Sequence, residues 1–290
     1  MRIGSMVISA WAAALFFAAV PAAQAQDEPA KAPAKGQAAP APAEKSGSIL
    51  DSFYLEMAPE FSTGQFGAPL RSVLMYFPAT LGFDYDGIAA SLTVPFEIER
   101  AGANVAFVGG KPVRVGGSKG NVNTVAGLGD LILDAGYYFF EEHDGLPSLF
   151  VGGELKCPTA NVAQGLGTGS FDEMIRVSSS ITFFSHLKAS LSLGYEWIGQ
   201  PTNIPVSTLE YHNTIVLGAG AGYAFTKSNE LWARYDLTTR IATGTPAFQL
   251  LSAEWDHYFS NDDKLFISVG MGLSSSAPAL MLTVGYQIWF

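Results

Sequence analysis

Residues 280–290 read LMLTVGYQIWF, and they give the clearest indication of the fold. Every second residue is apolar from Leu280 to Phe290, whereas the residues between them are small or polar in the middle of the run. Because alternate side chains of a β-strand point to opposite faces, one face of this strand is continuously apolar and the other is mixed. Such a strand is typical of an outer-membrane β-barrel, whose last strand pairs with its first and leaves no open edge.

The composition of the whole chain favours the same class. The chain is 48% hydrophobic, 12% aromatic and only 14% charged, with 31 Gly among 290 residues, whereas a soluble domain carries about 25% charged residues. After residue 25 there is no run of about 18 apolar residues, which a membrane-spanning helix requires. The chain is therefore expected to cross a membrane with strands and not with helices.

Charge and cysteine content exclude several other classes. The formal net charge is −10, so the chain lacks the basic surface that nucleic-acid binding requires. Cys157 is the only cysteine, which excludes an intramolecular disulfide framework and a thiolate metal cluster.

The N-terminal 48 residues have the composition of an export signal followed by a linker. Arg2 precedes an apolar segment that Pro21 ends, and Ala-Gln-Ala at 23–25 fits a small-x-small cleavage site, so residues 1–25 are predicted to be a signal peptide. Residues 26–48 are rich in Ala, Pro and Lys and hold too few bulky apolar residues to form a core, which predicts a disordered linker.

Residues 49–290 alternate between apolar and polar side chains in one segment after another. The clearest internal example is Ile88 to Ile98, where the even-numbered positions are mostly apolar. About twelve such segments of roughly 10 to 15 residues predict a closed antiparallel transmembrane barrel. Long connections at residues 101–123, 158–170 and 200–210 lie on one side and short turns on the other. Because barrels of this class have short periplasmic turns, both termini are expected to be periplasmic.

The charged residues of the predicted strands fall on the face opposite the apolar one. The apolar face predicts outer-membrane lipid as a partner, and the charged face predicts the lining of a narrow polar pore for small solutes. Because both acidic and basic side chains occur on this face, they are expected to pair with one another and to leave little net charge. The ion selectivity of the pore is therefore expected to be weak. These candidate pore-lining residues are Glu97, Asp130, Asp134, Glu154, Lys156, Asp172, Arg176, Lys188, Glu196, Arg234, Asp236, Arg240, Glu254 and Asp256.

The sequence carries no catalytic or metal-binding signature. The four histidines are far apart and lack metal-ligand spacing, and no Ser-His pattern indicates a convergent hydrolase site. We therefore expect no enzymatic activity, no metal and no cofactor.

Three short motifs carry a resemblance to a known family. They are Gly-Leu-Gly-Asp at 127–130, Lys-Cys-Pro-Thr at 156–159, and Gly-Leu-Gly-Thr-Gly at 165–169 with Asp172. Together they resemble the outer-membrane transporter family described as the putative MetA-pathway of phenol degradation. The resemblance implies a twelve-stranded barrel that is similar to the pore secreting functional amyloid subunits, and it suggests hydrophobic or aromatic compounds among the solutes.

Three functions remain open at this point. A Gram-negative outer-membrane channel for small solutes agrees best with the polar inward face. The alternatives are a secretion pore for a small polypeptide, which a folded N-terminal plug would favour, and a structural barrel without transport, which a closed interior would favour.

The end of the last predicted strand also resembles the signal read by the bacterial barrel-assembly machinery. Tyr286, Ile288 and Phe290 form this predicted assembly signal, which makes the assembly machinery an expected partner.

Deletion of Phe290 is expected to impair assembly more than deletion of residues 32–43. The terminal strand must close the ring, whereas the linker buries no apolar surface. Heat-modifiable mobility on gels measures the folded fraction of each variant, and equal folded fractions would contradict the prediction.

Overall fold

The computed structural model describes residues 49–68, 70–101, 105–108, 111–114, 123–143, 145–200 and 210–290. The predicted signal peptide, the predicted linker and most of the predicted loops at 101–123 and 200–210 lie outside these residues. In the described part of the chain, no helix is long and apolar enough to cross a membrane. The only helical elements there are single 3-10 turns at Ile49–Ser52 and Val162–Gln164.

Everything else that is regular in the described residues is β-strand. The strands are Phe53–Met57 (β1), Glu60–Gly64 (β2), Ser72–Tyr85 (β3), Ile88–Ala101 (β4), Val105–Val108 (β5), Lys111–Arg114 (β6), Asn123–Leu128 (β7), Leu131–Phe140 (β8), Leu149–Cys157 (β9), Asp172–Phe183 (β10), Leu187–Ile198 (β11), Thr214–Thr226 (β12), Asn229–Thr238 (β13), Phe248–Tyr258 (β14), Lys264–Gly272 (β15) and Leu280–Trp289 (β16).

Fourteen of these strands form one antiparallel sheet with twelve strand positions. The strands β1 and β2 share one position, because both pair with β3 on one side and with β16 on the other. Likewise β7 and β8 both pair with β4, and β5 and β6 form a separate hairpin. The prediction of a closed twelve-stranded barrel is confirmed.

The two broken positions differ from the continuous strands that the alternation predicts. The first break falls at Ala58 and Pro59, where a proline has no N–H to donate to the ladder. The second falls at Gly129 and Asp130, where the Asp130 carboxylate turns to a buried ammonium group. At both breaks the local chemistry interrupts the strand, although the alternation of apolar and polar residues continues in the sequence.

Pairing between the first and last strand positions closes the ring. Tyr54 lies opposite Trp289, and farther along the strand Phe61 lies opposite Leu282. The N–H of Phe290 donates to the carbonyl of Phe53 at 3.1 Å, so the ladder continues to the last residue. A closed sheet satisfies the backbone groups of both edges, as a structure in lipid requires.

Polarity in this barrel is the reverse of that in a soluble domain. Leu191, Leu193 and Val284 are among the many apolar side chains whose exposed fractions exceed half, at 61%, 53% and 52%. Charged and polar side chains alternate with them along the same strands and are mostly buried. The outer surface therefore has the chemistry of a lipid-facing wall.

The connections at the two ends of the barrel differ in length. At the end that carries both termini of the barrel they are two to eight residues long, and at the other end they span seven to 21 residues. One of the two-residue turns is Asp86-Gly87, whose residues both have positive φ (50° and 76°), as a type I′ hairpin requires. The predicted alternation of short turns and long loops is present.

Aromatic pairs stand on the outer surface near strand ends. Tyr195 packs against Trp197 with ring centroids 4.9 Å apart, and Tyr137 packs against Phe139 at 5.3 Å. Because aromatic side chains prefer the membrane–water interface, these pairs are typical of interfacial girdles.

An arginine on the lipid-facing wall should destabilise the barrel according to its depth. Leu193 lies in the middle of β11 and Leu231 near one end of β13, and their exposed fractions are closely matched at 53% and 51%. Leu193→Arg is expected to lower the free energy of unfolding by about 2–4 kcal/mol, and Leu231→Arg by about 0–1 kcal/mol. Denaturant unfolding from lipid vesicles measures both, and equal losses would contradict a membrane-spanning wall.

Candidate functional site

The interior of the barrel is the candidate site, because the charged residues converge there. Thirteen of the fourteen candidate residues lie at inward positions of the strands or, for Asp130, at the break between β7 and β8. Arg240 differs: β13 ends at Thr238, and Arg240 is exposed in the connection that follows. The prediction for Arg240 is wrong, because the backbone leaves the sheet at Thr238, two residues earlier. The role of the other thirteen in lining a pore stays a prediction.

A buried cluster is centred on the Lys156 ammonium group at the end of the barrel with the long loops. Its Nζ lies 3.0 Å from Asp130 Oδ2 and 3.0 Å from Asp172 Oδ2. It also donates to Thr168 Oγ1 at 3.0 Å and to the Ser170 carbonyl at 3.1 Å. A buried ammonium group needs such compensation, because the desolvation of a charge costs several kcal/mol.

Each carboxylate of this cluster also holds a neighbouring loop. Asp130 Oδ1 accepts a hydrogen bond from the Ala160 N–H at 2.9 Å, and Asp172 Oδ1 accepts one from the Gly199 N–H at 2.9 Å. The cluster thereby connects β9 and β10 with the β7–β8 break and with the starts of two long loops. We call the residues Lys156, Asp130, Asp172 and Thr168 the Lys156 clasp.

The loop between β9 and β10 folds against the barrel beside this clasp. Thr159 Oγ1 accepts a hydrogen bond from the Leu131 N–H at 2.9 Å. Leu166 is 2% exposed and packs on Gly127, where a Cβ atom would lie only 2.6 Å from Leu166 Cδ1. At Gly129 a Cβ atom would overlap the Glu97 carboxylate. A side chain at Gly127 or Gly129 would therefore force Leu166 or Glu97 to move.

The three motifs that carried the family resemblance meet in this one region. The 127–130 motif supplies the two close-packed glycines and Asp130, the 156–159 motif supplies Lys156 and Thr159, and the 165–169 motif supplies Leu166 and Thr168. Sequence reasoning identified the motifs separately but could not show that they converge. The clasp thus gives a physical reason for the residue types in all three motifs.

A second network lies toward the end with the short turns. Arg234 pairs with Glu254 at 2.9 Å and stacks over the Trp232 ring at 4.7 Å from its centroid. Glu230 accepts hydrogen bonds from Trp232 Nε1 at 3.1 Å and from Lys188. Its carboxylate therefore joins the Lys188 ammonium to the Trp232 ring system.

Two further pairs hold the remaining cations. Lys264 lies 3.7 Å from Asp256 and 4.6 Å from the centre of the Phe266 ring. Across the barrel, Arg176 pairs with Asp134 at 2.9 Å. Lys264 and Asp256 lie on adjacent strands, whereas the Arg176 side chain on β10 reaches past β9 to Asp134 on β8.

Glu230 and Lys264 belong to these networks but are not among the predicted pore-lining residues. Both lie at strand ends, next to residues that read as turns, and both are buried, at 2% and 1% exposed. Glu230 has an even number, like the inward-facing Arg234, so extending the alternation back from Arg234 through Trp232 to Glu230 would have found it. Lys264 is likewise in phase with Phe266 and Ser268, which face inward.

No group of three His, Cys, Asp or Glu side chains is placed to hold a metal ion in the described part of the chain. The free thiol of Cys157 is half-buried at the end of β9. What the arrangement offers is a wall of paired charges and aromatic rings inside a closed barrel.

Comparison with known proteins gives one family match and several structural likenesses. The family model described as "Putative MetA-pathway of phenol degradation" matches residues 74–290. None of the curated proteins matches the chain.

Three solved structures share the fold. An outer membrane channel from Pseudomonas putida F1 is 13% identical with a TM-score of 0.64, and the alignment covers 86% of this chain and 99% of that one. The NanC porin is 10% identical with a TM-score of 0.53, covering 81% and 100%. The β domain of the Bordetella autotransporter BrkA is 12% identical with a TM-score of 0.51, covering 82% and 98%. At these identities the likeness concerns the fold alone.

Replacement of Lys156 should release the loop that the clasp holds. Lys156→Met leaves two buried carboxylates without their cation, which is expected to cost about 3–5 kcal/mol of unfolding free energy. Denaturant unfolding measures this loss, and limited proteolysis should show faster cleavage within residues 158–171. Lys227→Met, in an exposed turn, serves as the control. Equal stability of the two variants would contradict the role of the clasp.

Proposed function

We propose that this chain, which belongs to the family described as "Putative MetA-pathway of phenol degradation", is an outer-membrane channel for small solutes in a Gram-negative bacterium. The single observation that carries the proposal is the reversed polarity of the closed barrel. Apolar side chains cover its outside, and charges of both signs lie inside. A closed wall with this polarity separates a polar interior from lipid, which is the requirement for a solute path.

The dimensions of a twelve-stranded barrel agree with small solutes. Eight strands leave an interior that side chains fill, and sixteen leave a wide aqueous channel, so twelve give a narrow lumen. The family description names phenol degradation, which makes hydrophobic or aromatic compounds the first solutes to test. The proposed activity is passage of a solute and not its chemical conversion.

We also propose roles for the segments of the chain and for its termini. Residues 1–25 direct export, residues 26–48 form a linker, and residues 49–290 form the barrel. Both termini are periplasmic, since the short turns lie at the end of the barrel where Phe53 and Phe290 lie. The terminal segment with Tyr286, Ile288 and Phe290 is recognised by the barrel-assembly machinery. The likeness to the amyloid-subunit secretion pore stays a prediction.

A structural barrel without transport is the second candidate, because the inward charges are strongly buried. Lys156, Glu196 and Glu230 are each only 2% exposed. An interior packed and ion-paired to this degree also holds a barrel together without conducting. Measurement of current through the folded protein separates the two functions.

Single-channel recordings in planar bilayers test the proposal. Folded protein is expected to conduct, and Arg234→Ala is expected to change the conductance because Arg234 faces inward and pairs with Glu254. Arg240→Ala removes the same charge from an exposed position beyond β13 and should leave the conductance nearly unchanged. Heat-modifiable mobility verifies folding of each variant. Folded wild-type protein that carries no current would favour the structural barrel.

A further inference from the structure

Three aromatic rings on the inner wall each lie under a basic side chain, and each of these basic side chains also pairs with a carboxylate. The distances from cation to ring centroid are 4.6, 4.7 and 5.6 Å. The three sets of ring, base and carboxylate are Phe266, Lys264 and Asp256; Trp232, Arg234 and Glu254; and Phe150, Arg176 and Asp134. Because the face of an aromatic ring attracts a cation, the interior repeats one favourable unit, a cation that contacts a ring and a carboxylate.

A fourth inner ring, that of Tyr54 on β1, lacks such a cation. The ring lies over Gly82 on β3, where a Cβ atom would be only 1.9 Å from Tyr54 Cζ, and it packs against Trp289 on β16 with centroids 5.0 Å apart. Tyr54 is half-buried, so the ring is not closed off from the interior. In the described part of the chain, no basic side chain lies over this ring.

A carboxylate stands beside this ring. Glu56 lies two residues after Tyr54, and alternate residues of a strand share a face, so both face inward while Leu55 and Met57 are exposed outside at 38% and 45%. The half-buried Glu56 side chain has no hydrogen-bond or ion-pair partner among the described residues. Because a carboxylate that has lost part of its water is costly without a partner, a cation that enters the barrel is stabilised beside it.

An orphaned amide lies directly opposite Glu56 in the sheet. Gln287 on β16 is the register partner of Glu56. Its side chain is 0% exposed, and neither Nε2 nor Oε1 has a hydrogen-bond partner within the described ranges. Buried polar groups are normally hydrogen-bonded, so this amide indicates, independently of the ring and the carboxylate, that a polar group from elsewhere belongs at this place.

The charged groups around Tyr54 leave the place above its ring to a solute. Among the charged groups that act electrostatically on Tyr54, Arg176 is the single base, and Asp134 holds it at 2.9 Å. Tyr54 is the second residue of β1 and Trp289 the last of β16, so the site lies at the end of the barrel with the short turns.

We propose that Tyr54, Glu56 and Gln287 form a binding site for small organic ammonium compounds at this mouth of the barrel. The ammonium group donates to the Glu56 carboxylate and to Gln287 Oε1, and the apolar part of the solute packs on the Tyr54 ring. A solute cation thereby completes the unit that Arg176, Arg234 and Lys264 complete elsewhere. The role of the site rests on the proposed channel function, because it concerns a solute that passes this mouth.

Isothermal titration calorimetry of the full-length protein, folded in detergent micelles, tests the site with benzylammonium chloride as the probe. Benzyl alcohol carries the same ring without the charge and is the matched control ligand. The wild-type protein is expected to bind benzylammonium at least about tenfold more tightly than benzyl alcohol, because hydrogen bonds between charged groups are the stronger ones.

Two variants separate the contributions of charge and ring. Glu56→Gln keeps the shape of the side chain and should weaken benzylammonium binding about tenfold, with little effect on benzyl alcohol. Tyr54→Leu removes the ring and should weaken benzylammonium binding about fivefold. Glu173→Gln is the matched control variant, because Glu173 is an exposed carboxylate on the outward face of β10. Heat-modifiable mobility verifies the folding of each variant, and Glu56→Gln decides alone if Tyr54→Leu does not fold.

The outcomes separate this site from the channel function. A folded wild-type protein without measurable benzylammonium binding, equal affinity for benzyl alcohol, or an affinity that either folded variant leaves unchanged overturns the site, even if the protein conducts. Binding that both variants weaken and Glu173→Gln leaves unchanged supports the site. If such a protein carries no current, the channel function alone fails.

Discussion

The pairing of β16 with the first strand position closes the sheet and removes its two open edges. In lipid every backbone N–H and C=O must find a partner within the protein, and an open strand edge cannot meet that requirement. Here the last strand position pairs with both pieces of the first, and the Phe290 N–H completes the ladder at Phe53. Once the ring is closed, every strand has an inward and an outward face, and alternate residues of the sequence face the interior and the lipid.

Closure also makes the interior a difficult place for charge. An ammonium group or a carboxylate held inside the wall loses its water and must recover that energy from neighbours. The Lys156 clasp meets this need with two carboxylates, a hydroxyl and a carbonyl, and the same carboxylates bind the backbone of adjacent loops. A local solution to desolvation therefore fixes the position of the β9–β10 loop. Gly127 and Gly129 contribute to this arrangement, since a side chain at either position would displace Leu166 or Glu97.

The two charged networks differ in character. The clasp is compact and joins strands to loops, whereas the network around Arg234, Glu254 and Trp232 runs from strand to strand along the wall. Aromatic rings under the Arg234 and Lys264 cations add a favourable contact that a carboxylate alone does not supply. The Lys156 clasp therefore anchors loops at one end of the interior, and the network around Arg234 connects strands along the wall.

The class of fold and the order of its strands can be predicted from the alternation of apolar and polar residues. A period of two is a local property, and so the alternation from Ile88 to Phe290, the even number of strand positions and the unequal connections could all be inferred from it. The breaks at Ala58–Pro59 and Gly129–Asp130 and the exposure of Arg240 could not be inferred from this period, because they depend on where a strand leaves the sheet. The inward positions of Glu230 and Lys264 follow the same period, but the turn-like residues beside them conceal how far each strand extends. Only the folded barrel shows that the 127–130, 156–159 and 165–169 motifs converge on Lys156. This convergence depends on the register between neighbouring strands, and register is a property of the closed sheet and not of any single strand.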